Sequence, residues 1–237
     1  VKTEKNARFL TLPVHDKPHI NTYFDLDRKP LSIRDVTGYS CDKCRTSPGN
    51  HAYDEHKGTD FKANTGTDIL AAVEGLVKII DNAYTDNWHP KGTEKPSLGN
   101  RIVIYSDQYG ISTYYGHLQG GENITVKVGD FVRRGQVIAT SDNTGTSSAA
   151  HLHFSVLRGN NPIDPFFENL WITDGTEKTV IDTTHILTAE EYFQAEAELF
   201  SLVDWFKSFF ISKKRTWTNE QALDYVKTAN GEYSDEF

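Results

Sequence analysis

From about residue 56 to residue 167, short runs rich in β-branched and aromatic residues are separated by glycine-containing turns. Alternation of apolar and polar positions is what a half-buried strand requires, because successive side chains point to opposite faces. The pattern predicts strands at residues 69–73, 76–80, 101–105, 112–115, 136–140 and 151–157. Turns are expected at Glu74-Gly75, Gln119-Gly120-Gly121, Arg134-Gly135 and Asn143-Thr144-Gly145, among others. Strands this short and closely spaced predict a mainly β domain built on an antiparallel sheet or sandwich. Residues 82–99 break the rhythm and read as a long surface loop.

The flanking regions differ in texture. Residues 1–50 carry scattered apolar positions, loop signals at 25–30 and 47–50, and a short strand expected at 21–24. Past residue 185 the period becomes helical. Tyr192, Ala195, Leu199, Val203, Phe206 and Phe210 fall on roughly one helical face. Thr188 and Glu191 form a capping-box pattern ahead of them. A second helix is expected to start at Thr218, with Gln221 as box partner, and to end before Asn230-Gly231. The expected organisation is an N-terminal segment over residues 1–50, a β domain over 51–170 and a helical C-terminal extension over 185–237.

Composition narrows the classes. The 237 residues include 13 Phe, 11 Tyr and 4 Trp, enough for a sizeable core. A net charge of −8 argues against nucleic acid as a partner, since phosphate binding needs clustered Lys and Arg. The one basic trio, Lys213-Lys214-Arg215, reads as a solvated helix end. No run approaches the ~20 apolar residues of a membrane span. The chain starts at Val1 and has no Met. It is therefore expected to be a trimmed product, a removed secretory signal being one origin and a cloning boundary another. Cys41 and Cys44 are the two cysteines, in a loop-like neighbourhood. A local disulfide in an oxidising compartment is the first expectation and two free thiols the alternative.

Chemistry concentrates in two motifs. In the predicted strand at 151–157, His151 and His153 stand on one face while Leu152, Phe154 and Val156 stand on the other. Two imidazoles there make poor core residues, because each ring nitrogen wants a partner. His56 and Asp60 form the second motif. They could be an i, i+4 pair on a helix, or could share one face of an extended segment. Gly58 between them favours the extended form and lets another group approach the backbone. One carboxylate and two imidazoles satisfy a catalytic Zn²⁺, which keeps a fourth position open, and a spare histidine could then handle protons. His117 follows a predicted strand in the same region.

Taken in order, several stretches resemble the lysostaphin/LytM-type zinc metallopeptidases. They are His56-Lys57-Gly58-Thr59-Asp60-Phe61, residues 66–77 (GTDILAAVEGLV), 99–104 (GNRIVI), Tyr114-Tyr115-Gly116-His117-Leu118, 128–139 (VGDFVRRGQVIA) and 143–154 (NTGTSSAAHLHF). The resemblance covers about half the chain. It implies an antiparallel sheet with an open groove, one zinc per chain held by His56, Asp60 and His153, and a catalytic pair formed by His151 and His117. It implies hydrolysis of peptide cross-links or stem peptides of bacterial peptidoglycan, in a secreted, periplasmic or cell-envelope setting. His151, two residues from a ligand, is placed to act as general base. His117 would donate to the oxyanion or orient the water. Asn64 and Thr67, with the Ser147-Ser148 loop, are candidates to line the groove.

Three features depart from the minimal pattern: the insert before Gly99, the acid-rich approach to His56, and the helical extension. A relative that is catalytically silent, binding peptidoglycan or activating another hydrolase, is the alternative, although such relatives usually lose ligands. A monomer is the expected state. His15, His19, His51, His89 and His185 are expected at the surface, with His15 or His19 as candidate occluders of the zinc.

Overall fold

The computed structural model describes residues 8–15, 18–27, 29–46, 52–84 and 98–172. The loop signal at 47–50, most of the insert within 82–99, His51, His89, His185 and the expected helical extension lie outside the described residues. Twelve strands are described. The first five are β1 (Ile20–Thr22), β2 (Ser32–Arg34), β3 (Ser40–Asp42), β4 (Thr59–Phe61) and β5 (Asp68–Leu70). Next come β6 (Gly75–Asp81), β7 (Arg101–Ser106), β8 (Ile111–Gly116) and β9 (Phe131–Val132). The last three are β10 (Val137–Thr140), β11 (Leu152–Arg158) and β12 (Asn161–Ile163). One 3₁₀ turn covers Gly121–Asn123.

Seven strands form a path β1-β4-β11-β8-β7-β6-β9, with β12 also paired to β11, and every pairing is antiparallel. The pairs β5–β10 and β2–β3 are separate two-stranded sheets. The mainly antiparallel β architecture expected from the alternation is the one observed. Each of the six predicted strands overlaps an observed one, with ends displaced by at most three residues. The predicted strand at 69–73 stops at Leu70, because Ala71 to Val73 leave the ladder although all three stay buried.

The core explains the pattern. In β8, Ile111, Thr113 and Tyr115 are buried while Ser112 and Tyr114 are half-buried, the period of two expected of a sheet with one packed face. Tyr115 is fully buried, and its hydroxyl accepts the Ala72 N–H at 2.8 Å. In β11 both faces are covered, with Leu152, Phe154 and Val156 in the apolar core and His153 and Ser155 opposite. Trp171 closes one end against Phe61, Phe154 and Phe166.

The N-terminal segment contributes to this same core. Phe9, Leu10, Leu12 and Val14 are buried in it, and β1 extends the main sheet by pairing with β4. Cys41 and Cys44 are joined by a disulfide in the β3 hairpin region. No helix of the described residues is long and apolar enough to cross a membrane, which says nothing of a β-barrel.

Candidate functional site

Strand register assembles the site. On one side of β11, His153 is paired with Asp60 of β4; on the other side it is paired with Gly116, the last residue of β8. That brings His117, the next residue, beside the same spot. A slip of one residue would turn every side chain of β11 to the opposite face. His56 precedes β4 in a non-helical approach, which is the extended alternative for the His56–Asp60 pair. Asp60 lies in the middle of β4.

Three donor atoms converge. His56 Nε2 lies 3.2 Å from Asp60 Oδ1 and 3.2 Å from His153 Nδ1, and His153 Nδ1 lies 2.9 Å from Asp60 Oδ1. A tetrahedral ion with ligand bonds near 2.0–2.1 Å separates its donors by roughly 3.3 Å. The three residues are buried and form a group that could hold a metal ion. Proton placement sharpens the point. His56 Nδ1 lies 2.6 Å from the Tyr23 carbonyl oxygen, which can only accept. The proton therefore sits on Nδ1, and Nε2 presents a lone pair. His153 Nε2 lies 2.7 Å from Ser155 Oγ. With Ser155 accepting that N–H, His153 Nδ1 presents a second lone pair. Two lone pairs and a carboxylate oxygen then face one another at about hydrogen-bond distance with no donor among them, an arrangement that a cation satisfies. Nitrogen and oxygen donors in this geometry suit zinc.

The remaining two histidines sit beside this group. His151 Nε2 is 3.6 Å from Asp60 Oδ1, and its Nδ1 is 2.8 Å from the Ala149 carbonyl and 3.2 Å from Ser147 Oγ. His117 Nδ1 donates to the Thr144 carbonyl at 2.6 Å. The His117 and His151 rings are 4.5 Å apart between centroids. In both, the backbone carbonyl fixes the proton on Nδ1 and frees Nε2. His117 itself has φ +59, a left-handed conformation that is uncommon outside glycine. Its N–H donates to the Leu98 carbonyl, and its own carbonyl accepts the Asp142 N–H.

Charge follows from burial and neighbours. Burial opposes ionisation of Asp60, but His56, His151 and His153 outweigh it when their rings are protonated and then hold its carboxyl well below the usual range. Burial, reinforced by the charge of His151, pushes His117 down to about 4. Burial also lowers His153, against the pull of Asp60. For His151 the order reverses: burial opposes protonation, yet the nearby carboxylate of Asp60 raises it.

Asn64 and Thr67 belong to a turn rather than to the histidine cluster. The Asn64 carbonyl accepts Thr67 N–H, Thr67 Oγ1 and Ser141 Oγ. Between them, Thr65 Oγ1 donates to Asp142 Oδ1 at 2.9 Å, and Asp142 is bridged to His151. His15 and His19 are exposed. Tyr23, Ser155, Thr144 and Tyr53, whose ring stacks on His56 with centroids 4.2 Å apart, were not singled out from sequence. Ser155 carried a signal, because it continues the face of His151 and His153 at steps of two. Tyr23 and Thr144 act through backbone carbonyls and carry none.

Residues 54–165 match the profile of peptidase family M23. The peptidoglycan DD-endopeptidase ShyA of Vibrio cholerae is 30% identical over 172 residues, which is 72% of this chain and 32% of that protein. Lysostaphin of Staphylococcus simulans is 37% identical over 99 residues, 42% of this chain and 17% of that protein. Among solved structures, the catalytic domain of lysostaphin from Staphylococcus simulans is 30% identical, with a TM-score of 0.39 over 47% of this chain and 76% of that one. The chain spans less than a third of the length of these two curated relatives.

Proposed function

We infer, for a chain whose residues 54–165 belong to peptidase family M23, that it is a zinc-dependent endopeptidase acting on the peptide part of bacterial peptidoglycan. The observation that carries the reading is the convergence of His56 Nε2, Asp60 Oδ1 and His153 Nδ1 at 2.9–3.2 Å, with His117 and His151 beside them. His56, Asp60 and His153 would hold one zinc ion. Bound there, zinc acts as a Lewis acid on a carbonyl oxygen and makes water acidic enough to lose a proton near neutral pH.

The chain's own residues divide the proton work. His151 Nε2 takes the proton from the water whose oxygen attacks the scissile carbonyl carbon. Its Nδ1–H, held on the Ala149 carbonyl, keeps the ring aimed and the correct nitrogen bare. When the C–N bond breaks, the same nitrogen returns the proton to the departing amine. His117 Nε2 is unprotonated while Nδ1–H is on Thr144. It orients the water as an acceptor, and donates to the oxyanion when it carries a proton. The names of the relatives place DD-endopeptidase and glycyl-glycine endopeptidase activities in proteins similar to this one. A secreted or cell-envelope setting and a monomeric state complete the proposal.

Turbidity loss of purified peptidoglycan suspensions, with and without a chelator and beside His151→Ala, tests the reading. Zinc-loaded protein is expected to clear at least one wall type, the chelator to abolish clearing, and mass spectrometry of the muropeptides to identify the bond cut. Full zinc binding without lysis of any wall type would favour the silent relative. A metal content well below one zinc per chain would sink the site itself.

A further inference from the structure

The stretch that matches the peptidase family begins at residue 54, yet the ligand histidine is secured from 33 positions upstream, at Tyr23. We propose that Asp25 is a positioning residue of the metal centre, its carboxylate locking the turn that presents His56. The proposal rests on the reading of His56, Asp60 and His153 as metal ligands.

Every polar handle of His56 outside the metal group is taken by its own turn or by residues 23–25. Its ring Nδ1–H donates to the Tyr23 carbonyl at 2.6 Å. Its main-chain carbonyl accepts the Asp25 N–H at 2.8 Å, and its N–H donates to the Tyr53 carbonyl at 3.0 Å. The residue just before it, Glu55, has φ +63, a left-handed conformation that side-chain-bearing residues rarely adopt. The Glu55 N–H donates to Asp25 Oδ2 at 2.9 Å. The other oxygen, Oδ1, serves the N-terminal segment, accepting Arg34 N–H at 3.0 Å and Asp27 N–H at 3.2 Å. One buried carboxylate thus couples the β2 region to a strained residue adjacent to a ligand. Groups that orient a ligand from behind set its aim, and their loss typically weakens metal binding by about 10–100-fold.

Asp54 provides the comparison. It lies in the same turn, but among the described residues its carboxylate accepts only the Leu31 N–H, at 3.0–3.1 Å. Removing it loses a loop contact without touching the handles of His56.

The test uses the full chain carrying Asp25→Ala, Asp25→Asn or Asp54→Ala. Zinc affinity is read by chelator competition, ligand geometry by the visible absorption of the Co²⁺-substituted protein, and fold by the melting of chelator-treated protein. Asp25→Ala is expected to weaken zinc about 10–100-fold and to alter the Co²⁺ spectrum. Asp54→Ala is expected to leave both unchanged. Adding Glu55→Gly to Asp25→Ala is expected to recover part of the affinity, because glycine adopts the turn without help. Should Asp25→Ala fail to fold, Asp25→Asn carries the test. Its Oδ1 keeps the Arg34 and Asp27 contacts, while the amide nitrogen cannot accept the Glu55 N–H. Wild-type affinity and spectrum in the Asp25 variants, or a loss no larger than in Asp54→Ala, would overturn the proposal. A wild-type chain that binds zinc but cleaves no peptidoglycan would overturn the peptidase reading and leave this one standing. A wild-type chain that binds no zinc would overturn both.

Discussion

Gly58 is where one methyl group probes the metal site most directly. An alanine Cβ there would lie 2.6 Å from His153 Nε2, 2.7 Å from its Cε1 and 2.7 Å from the Phe154 carbonyl oxygen. Ordinary contact begins near 3.4 Å, so ring or strand must retreat by roughly 0.8 Å to restore it. Neither yields readily. Phe154 lies in a strand paired on both sides, to Thr59 and to Tyr115, and the His153 ring is held between Asp60 and Ser155. A metal–ligand distance tolerates only about 0.2 Å of error. A displacement of this size therefore takes His153 Nδ1 out of coordination range. Gly58→Ala is expected to cost about 1–3 kcal/mol as overpacking. In melting of the metal-free protein that reads as roughly 2–4 °C per kcal/mol. Losing one of three ligands is expected to weaken zinc by more than the ~100-fold typical of a supporting residue. Chelator competition gives the affinity and calorimetry the stability. An alanine variant that melts lower but binds zinc like the wild type would refute the argument, since the methyl group would then have been absorbed elsewhere.

Further outcomes are expected. His151→Ala should keep zinc at one per chain while peptidoglycan hydrolysis falls about 10²–10⁴-fold, the usual worth of a general base; loss of the metal would instead make His151 a ligand. Ser155→Ala strands the His153 Nε2–H and should weaken zinc about 10–100-fold by chelator competition, with unchanged affinity refuting the hydroxyl's role. Burial pushes the Asp164 carboxyl up to about 7, with Oδ1 accepting the Phe166 N–H and Oδ2 without a partner among the described residues. Between an unfolded value near 4 and about 7, the folded chain keeps a proton that the unfolded chain has lost. Stability should therefore be highest at the acid end of that window and fall as pH rises through it, by up to ~4 kcal/mol, then level off. Asp25, also raised by burial, to about 6, adds a fall of its own, so denaturant melts of chelator-treated protein should show a steeper fall in the wild type than in Asp164→Asn; parallel pH profiles would refute it.

The legible and illegible parts of the molecule follow from the range of the forces involved. β8 was readable because a strand with one packed face alternates, and Ile111, Thr113 and Tyr115 obey that rule locally. β4 was missed as a strand because it has three residues, all buried, and so no alternation to detect. β9 has two residues and escaped for the same reason. Gly58 was informative because only glycine leaves room for another group against the backbone, and His153 is the group that comes.

The sequence by itself determined the chemical inventory: a carboxylate and four histidines, spaced so that strands could bring them together, in a sheet-forming region. It also determined that His151 and His153 share a face, because that depends only on the two-residue period of a strand. Tertiary structure alone decided which nitrogen of each ring faces inward. His56 offers Nε2 because a carbonyl at Tyr23 takes the proton of its Nδ1, whereas His153 offers Nδ1 because Ser155 partners its Nε2. Nor could the pattern of residues announce that Asp25 braces the turn before His56. That contact joins a side chain to a backbone N–H 30 positions away, and a backbone N–H has no residue type for a sequence to display.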